Sequence, residues 1–333
     1  MIGSFLNYLS LERACSPHTV TSYENDLRAF EAYLGKTEIG VELKNADADL
    51  VRRWAMELVA SGVKATSVNR KLSSLRTFYK YLLKKGVVSV SPVQNVRGPK
   101  RSKPLPQFVR ESDMERMLFD TEQAGTWQEM REHAVLQLFY ETGIRLSELV
   151  ALDESDVDFG RMTIKVTGKR NKQRIVPIGD GLVESLKRYM DALSEMGVRE
   201  RRCLQSPSIE GRGEMNLGCD DGRFISLKED SKAVYRGGSP LFVTDKGERV
   251  YPGWVYRLVR KNLTRVVSLK KRSPHVLRHT FATAMLNNEA ELGAVKELMG
   301  HASVSTTQIY THTTFEELKK AYSKAHPRAS INQ

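Results

Sequence analysis

Four residues near the carboxyl end of the chain have the side chains needed to attack a phosphodiester. His275, Arg278, His301 and Tyr310 fall within one short stretch of sequence. A tyrosine oxygen can attack phosphorus, and a planar, permanently charged guanidinium can hold the nonbridging oxygens on which charge accumulates. Histidine can transfer protons near neutral pH. Each residue alone is more often structural, so the prediction rests on their combination.

Predicted helix ends would present these four side chains. Ser273 can cap a helix that begins at Pro274, which places His275 and Arg278 on one face. A second amphipathic helix over residues 290–299 would end at Gly300, with His301 just beyond it. Ser305 and Gln308 match a capping box, so a third helix is expected to carry Tyr310.

Two earlier segments could add cations to the same site. Arg145 follows the helix stop Gly143 and precedes a short helix, where Glu148 could hold its guanidinium. Two β-branched stretches predict strands over residues 162–167 and 173–178, joined by a hairpin turn that projects Lys169. A lysine at a hairpin tip is usually only a soluble surface residue.

Composition favours a polyanionic partner. The 333 residues carry 52 Lys and Arg against 40 acidic residues, a formal charge of +12. There is no apolar run long enough to span a bilayer and no signal-peptide pattern, so we expect a cytoplasmic, nucleoid-associated protein without a membrane partner. The three cysteines lack metal-ligand spacing, and the pair His275 and His279 has no accompanying carboxylate, so neither a metal nor a cofactor is expected.

The amino-terminal hundred residues show helical periodicity and a basic helix face. A Pro- and Gly-containing basic stretch follows and is typical of an interdomain linker that could cross a DNA backbone. The alternatives are a solvated helix face and an ordinary linker. The predicted DNA-binding residues in these segments and in the later hairpin are Arg70, Lys71, Arg76, Lys100, Arg101, Lys103, Arg170 and Lys172.

The order of these motifs resembles the tyrosine recombinase (phage integrase) family, and its Xer-type branch most of all. The resemblance rests on Thr142-Gly-Ile-Arg-Leu-Ser-Glu-Leu, Gly168-Lys-Arg-Asn-Lys, His275-Val-Leu-Arg-His, Met299-Gly-His and Ser305-Thr-Thr-Gln-Ile-Tyr. It implies Tyr310 as the nucleophile, Arg145 and Arg278 as phosphate ligands, and His275 and His301 in proton handling and phosphate contact. Lys169 would protonate the leaving oxygen, and Glu148 would support Arg145.

The resemblance also implies a fold and a domain plan. The expected fold is mainly α with a small antiparallel β-sheet in the catalytic domain, arranged as a two-domain DNA clamp. Residues 1–96 would form a helical, SAM-like core-binding domain, 97–108 a linker, 109–328 the catalytic domain and 329–333 a tail. Residues at about 200–238 are longer than the usual connection and are expected to form an inserted loop, in which a small hairpin is conceivable.

The expected function is site-specific DNA recombination through a 3′-phosphotyrosine intermediate and a Holliday junction, without a cofactor. Partners would be double-stranded DNA with paired inverted repeats and a homo- or hetero-tetramer that includes the same or a second recombinase. Chromosome dimer resolution is one role. DNA inversion, mobile-element integration and type IB topoisomerase-like relaxation are alternatives, whereas a non-catalytic architectural role fits the filled catalytic positions poorly. The amphipathic helix after Tyr310 is expected to dock on a neighbouring protomer.

Overall fold

The structure is a computed structural model that describes residues 1–37, 41–100, 107–123, 125–168, 171–195, 216–218, 224–226, 238–269, 271–300 and 315–328. The chain divides into two compact units, Met1–Pro104 and Leu105–Gln333. The boundary falls within the predicted linker, of which residues 101–106 lie outside the described part. Each unit has its own buried hydrophobic cluster.

Among its described residues the amino-terminal unit contains helices, turns and loops but no strand. Its four α-helices are α1 (Ile2–Asn7), α2 (Pro17–Thr37), α3 (Ala48–Ala60) and α4 (Ala65–Lys84). A π-helical turn, Tyr8–Glu12, follows α1, and the 3-10 turn Leu43–Asn45 precedes α3. The apolar faces meet around Phe30, Trp54 and Phe78, which are at most 3% exposed. Asp47 caps α3 by accepting a hydrogen bond from the amide of Leu50.

The carboxy-terminal unit combines eight described α-helices and the 3-10 turn Glu154–Asp156 with short strands. The helices are α5 (Glu111–Glu122), α6 (Trp127–Thr142), α7 (Leu146–Val150), α8 (Asp180–Glu195), α9 (Pro252–Val266), α10 (Pro274–Asn287), α11 (Leu292–Leu298) and α12 (Phe315–Ala325). Strands β1 (Val157–Asp158), β2 (Thr163–Thr167) and β3 (Gln173–Pro177) form an antiparallel sheet in that order. A separate pair consists of β4 (Asn216–Gly218) and β5 (Phe224–Ser226). The expectation of a mainly helical fold with a small antiparallel sheet is confirmed.

Helix α6 lies in the core of this unit, because every residue from His133 to Thr142 is buried. The capping box formed by Thr126 and Glu129 starts it, and Gly143 ends it in the left-handed conformation at φ +56°. A Cβ at Gly143 would lie 2.3 Å from the ring of Phe281, so a larger residue would displace α10 or the ring. The helix therefore stops at a fixed point, immediately before the segment that carries Arg145.

The β2–β3 hairpin forms as the alternating pattern predicts. Ile164 and Val166 of β2 are buried, while Lys165 between them is exposed. Thr163 pairs with Pro177 and Thr167 with Gln173, and the amide of Gly168 donates to the carbonyl of Lys172 at 2.7 Å. The turn residues Lys169 and Arg170 lie outside the described residues.

Two local predictions need correction or extension, and a third is not tested. Ser273 occupies the N-cap position of α10, but its side chain makes no capping hydrogen bond. In the predicted insertion, Phe224–Ser226 is a strand, and its partner is Asn216–Gly218, which the sequence pattern did not indicate. The predicted capping box at Ser305 and Gln308 lies outside the described residues.

The helix after Tyr310 packs within its own chain. The side chains of Leu318, Tyr322 and Ala325 on α12 belong to the main hydrophobic cluster of the carboxy-terminal unit, and Tyr322 is fully buried. Polar contacts with Glu141 of α6 and with Asn288, just after α10, hold the helix on its own unit. Docking of this helix on a neighbouring protomer stays a prediction.

Candidate active site

Arg278 brings α10 into contact with the end of α6. Its Nη1 donates to the carbonyl of Gly143, and its Nη2 donates to the carbonyl of Met299 at 2.6 Å. The residue is 6% exposed. Burial, reinforced by the nearby positive charge of Arg145, lowers the pKa of Arg278 to about 10, so the guanidinium still carries its charge at neutral pH.

Arg145 reaches the same segment from the start of α7. Its Nη2 donates to the carbonyl of Gly300 at 2.7 Å. Gly300 directly follows Met299, whose carbonyl accepts from Arg278. Nη1 of Arg145 donates to Oε1 of Glu148 at 2.7 Å, and the Arg145 amide donates to Oε2 of the same carboxylate at 2.7 Å. The side chain is 34% exposed, so Arg145 can approach a ligand from solvent.

Glu148 supports Arg145 as the sequence spacing indicates, and it is only 2% exposed. Burial acts to raise the pKa of Glu148, but hydrogen bonds and charge from Arg174 and Arg145 outweigh burial and hold the pKa below its ordinary value. The carboxylate is therefore ionised at neutral pH and fixes the orientation of the guanidinium beside it.

His275 lies on the exposed surface of α10, one turn from Arg278. Partial desolvation, together with the neighbouring His279, Arg278 and Arg145, lowers the pKa of His275 below its ordinary value. The imidazole is thus neutral at physiological pH and able to accept a proton. The structure brings Arg145, Glu148, His275 and Arg278 together in one region.

The remaining predicted catalytic residues, Lys169, His301 and Tyr310, lie outside the described residues. The chain reaches two of them from glycines at the site. Gly168 precedes Lys169, and a Cβ there would lie 3.1 Å from Oε1 of Glu148. Gly300 precedes His301 and lies at φ +62° against the guanidinium of Arg174.

Sequence reasoning missed Arg174, which lies between these two glycines. A usable signal was present, because residues two apart on a strand share a face. Arg174 shares a face with the buried Val176, whereas Ile175 is exposed. A cation on the core-facing side of a strand needs a buried anionic partner, and Glu148 is that partner.

The described DNA-binding candidates mostly have protein partners. Arg70 and Lys71 both pair with the buried Asp26, at 2.5 Å and 3.3 Å. Arg76 donates to the carbonyl of Val96 at 2.7 Å, while Lys100 and Lys172 are exposed. Arg101, Lys103 and Arg170 lie outside the described residues. Contact between these side chains and DNA stays a prediction.

No helix in the described part of the chain is both long enough and apolar enough to cross a membrane. In the same part of the chain, no group of three or more His, Cys, Asp or Glu side chains is arranged to hold a metal ion.

Comparison with known proteins finds relatives along nearly the whole chain. The Phage integrase family matches residues 107–317, and the Phage integrase, N-terminal SAM-like domain matches residues 2–86. "Tyrosine recombinase XerC" of Chlorobaculum tepidum is 37% identical, with 98% of this chain and 94% of the relative covered. The protein of the same name from Thermodesulfovibrio yellowstonii is 34% identical, with 98% and 96% covered.

A solved structure has the same fold. The XerH site-specific recombinase bound to palindromic difH substrate, in a post-cleavage complex, superposes with a TM-score of 0.64 at 21% identity, covering 92% of this chain and 79% of that one. With a matching family over most of the chain and XerC relatives at more than one third identity, the chain belongs to the phage integrase family and is a site-specific tyrosine recombinase of the Xer type, an enzyme that breaks and rejoins DNA.

Proposed function

We propose that Tyr310 is the nucleophile of this recombinase and that Arg145 and Arg278 bind the scissile phosphate. The observation that carries the proposal is the convergence of the two guanidinium groups. They come from α7 and α10 yet donate to the carbonyls of the adjacent residues Gly300 and Met299. Two permanent cations so close together can stabilise the negative charge of a pentacoordinate phosphorus.

The reaction would proceed in two balanced transfers. The phenolic oxygen of Tyr310 bonds to phosphorus, its proton passes to a base, and the bond from phosphorus to the 5′-oxygen breaks. Lys169 would donate a proton to that 5′-oxygen, which is otherwise a poor leaving group. A 5′-hydroxyl from the partner duplex then attacks the 3′-phosphotyrosine and gives its proton to Lys169, while the bond from phosphorus to the tyrosine oxygen breaks and that oxygen takes back the proton held by the base. The bond energy is thereby kept for rejoining.

His275 and His301 are proposed to handle the proton of Tyr310 and to contact the phosphate. The lowered pKa of His275 supports a neutral imidazole that can accept that proton near pH 7. Either histidine can be the general base, and His301 directly follows the glycine whose carbonyl Arg145 binds.

The two units are proposed to clamp double-stranded DNA that carries paired inverted repeats. The formal charge of +12 supports binding to a polyanion. Recombination would use four protomers, identical or shared with a second recombinase, and would pass through a Holliday junction. The proposed place of action is the chromosome in the cytoplasm, with dimer resolution as the first candidate role and inversion or integration as alternatives. The XerC relatives support site-specific recombination.

A nicked suicide substrate tests the nucleophile. The protein should form a covalent adduct with DNA, visible as a band shift under denaturing conditions, and Tyr310→Phe should abolish it while DNA binding persists. An adduct that survives in Tyr310→Phe would reject the assignment.

A supercoiled plasmid distinguishes recombination from relaxation. A recombinase requires paired sites, whereas a topoisomerase relaxes a plasmid that has none.

A further inference from the structure

Arg174 makes three hydrogen bonds, each to a different acceptor atom. Its Nη1 and Nη2 donate to Oε1 and Oε2 of Glu148, both at 2.9 Å, in a parallel bidentate pair. Its Nε donates to the carbonyl of Leu298 at 2.8 Å. Only a guanidinium supplies donors in this fork geometry, so lysine cannot reproduce the arrangement.

Three arginines therefore bind three successive carbonyls. Arg174 binds that of Leu298, Arg278 that of Met299 and Arg145 that of Gly300. These carbonyls form the carboxyl end of α11 and its stop, where backbone acceptors lack helical partners and attract cations. The segment that leads into His301 is thus held at three consecutive points.

Arg174 also affects the ion pair between Arg145 and Glu148. Oε1 of Glu148 accepts from Nη1 of both Arg145 and Arg174, at 2.7 Å and 2.9 Å. Without Arg174, the buried carboxylate would lose two of its charged donors, and a buried acceptor without donors is costly. Arg145 is the nearest cation that could compensate, and turning toward Glu148 would draw it from the carbonyl of Gly300.

The chain on either side of the site packs on the same ion pair. A Cβ at Gly300 would lie 3.0 Å from Nη1 and 3.2 Å from Cζ of Arg174. A Cβ at Gly168 would lie 3.1 Å from Oε1 of Glu148. The Arg174–Glu148 pair thus supports the points from which the chain continues to Lys169 and His301.

We propose that Arg174 is a positioning residue for DNA cleavage. It fixes the positions of Arg145 and of the Leu298–Gly300 carbonyls and does not bind the phosphate itself. The proposal rests on the proposed role of Arg145 as a phosphate ligand. Each nitrogen of the Arg174 guanidinium donates to Glu148 or to the carbonyl of Leu298, so the whole group connects these two parts of the site.

Arg249 offers a matched control in the same unit. It is 14% exposed and binds one carboxylate, Asp153, together with the carbonyls of Val150 and Leu152. Arg174→Lys and Arg249→Lys should therefore disturb folding to a similar degree, as thermal denaturation would report. Arg174→Gln is the second variant if Arg174→Lys does not fold, because its amide can still donate to Glu148.

The decisive measurement is the single-turnover rate of covalent adduct formation at saturating protein. We expect Arg174→Lys to lower this rate by about a hundredfold, as a misplacement of about 1 Å can do, with DNA affinity nearly unchanged. Arg249→Lys should leave the rate within about twofold of the parent. Equal rates for the two variants would overturn the proposal, as would a lost affinity that fully accounts for the lower rate.

Two further readouts separate positioning from a general structural effect. A scissile methylphosphonate, which lacks one charged oxygen, needs less help from Arg145, so the Arg174→Lys defect should shrink on it. The effects of Arg174→Lys and Arg145→Lys should also be less than additive, because the first acts through the second. Strict additivity, or an equal defect on both substrates, would count against the proposal.

The Arg145→Ala variant distinguishes failure of this proposal from failure of the proposed function. Normal cleavage by Arg145→Ala would reject Arg145 as a phosphate ligand. Slow cleavage by Arg145→Ala together with normal cleavage by Arg174→Lys would reject only the role of Arg174.

Discussion

Gly300 follows the end of α11 and lies against the guanidinium of Arg174, so a substitution there tests the geometry of the site. Its φ of +62° lies in the left-handed region, which costs a residue with a Cβ about 1 kcal/mol. The added Cβ would also press on the Arg174 guanidinium, 3.0 Å away. We expect Gly300→Ala to lower the cleavage rate at least about tenfold, because the carbonyl that Arg145 binds would shift.

Gly86→Ala is the control for Gly300→Ala. Gly86 has a similar φ of +68°, but nothing lies within 4 Å of a Cβ built there. Both variants should lose about 1 kcal/mol of stability in denaturant unfolding, whereas only Gly300→Ala should cleave slowly. Normal cleavage by Gly300→Ala would mean that the exact path of this segment does not matter to the chemistry.

At the scale of residues, the sequence predicts partners that are close along the chain. Arg145 and Glu148, three positions apart, form the expected ion pair. His275 and Arg278 share α10 as their spacing predicts. Arg174 was missed because its partner Glu148 lies far away in sequence on another element. Only the tertiary fold brings that strand residue under the end of α11.

At the scale of elements, helix α12 is held by a buried polar cluster on α6. The hydroxyl of Tyr322 lies 3.5 Å from Oε2 of Glu141, whose Oε1 accepts from Gln137 at 2.8 Å. The ring of His326, just after α12, stacks on Tyr322 and lies 3.2 Å from the carbonyl of Tyr140 through Nε2. The docking of α12 therefore depends on two buried titratable groups.

These groups respond to pH in opposite directions. Burial raises the pKa of Glu141 from 4.5 to about 7, so its contribution to stability is full below pH 4.5 and is lost as pH rises to 7. Burial lowers the pKa of His326 from 6.5 to about 4, so its contribution is full above pH 6.5 and is lost as pH falls to 4. The two slopes oppose each other between pH 4.5 and 6.5.

Single substitutions should expose each slope. Relative to the parent, Glu141→Gln should gain up to about 3 kcal/mol in the free energy of unfolding between pH 4.5 and 7.5, since no buried carboxylate has to ionise. The free energy of unfolding of His326→Phe should rise relative to that of the parent as pH falls from 6.5 to 4, because the variant has no buried imidazole that protonates more readily in the unfolded chain. Urea unfolding across this range measures both differences, and variant curves parallel to that of the parent would refute the assignment.

Elements with strong local signals were predictable, and their contacts were not. Helical periodicity correctly predicted the helices of the amino-terminal unit, Gly143 marked the end of α6, and the β-branched stretches predicted the β2–β3 hairpin. The same periodicity gave α12 an apolar side but could not say whether its own chain or another covers it. Glu141, a buried acid within α6, looks in sequence like any exposed helical glutamate. The burial of Glu141 depends on α12, which packs against α6 only in the folded chain.

At the scale of the whole molecule, excess positive charge should make DNA binding depend steeply on salt. Net charge is +12, and each phosphate that a protein cation neutralises releases condensed counterions. A plot of log affinity against log salt concentration should therefore fall with a slope of about −0.9 for each phosphate contacted. A shallow slope would contradict a clamp that holds the backbone through several cations.

Single substitutions locate the cations that produce this slope. Arg76→Ala and Lys100→Ala should each reduce its magnitude by about one and weaken binding equally on specific and unrelated DNA, because phosphate contacts carry no sequence information. Arg28→Ala is the control, because Glu24 and Glu31 flank that guanidinium at 3.9 Å and 2.9 Å and offset its charge. The slope of Arg28→Ala should match that of the parent. If Lys100→Ala altered base preference and left the slope unchanged, Lys100 would read bases instead, and the proposed backbone contact along the linker would be wrong.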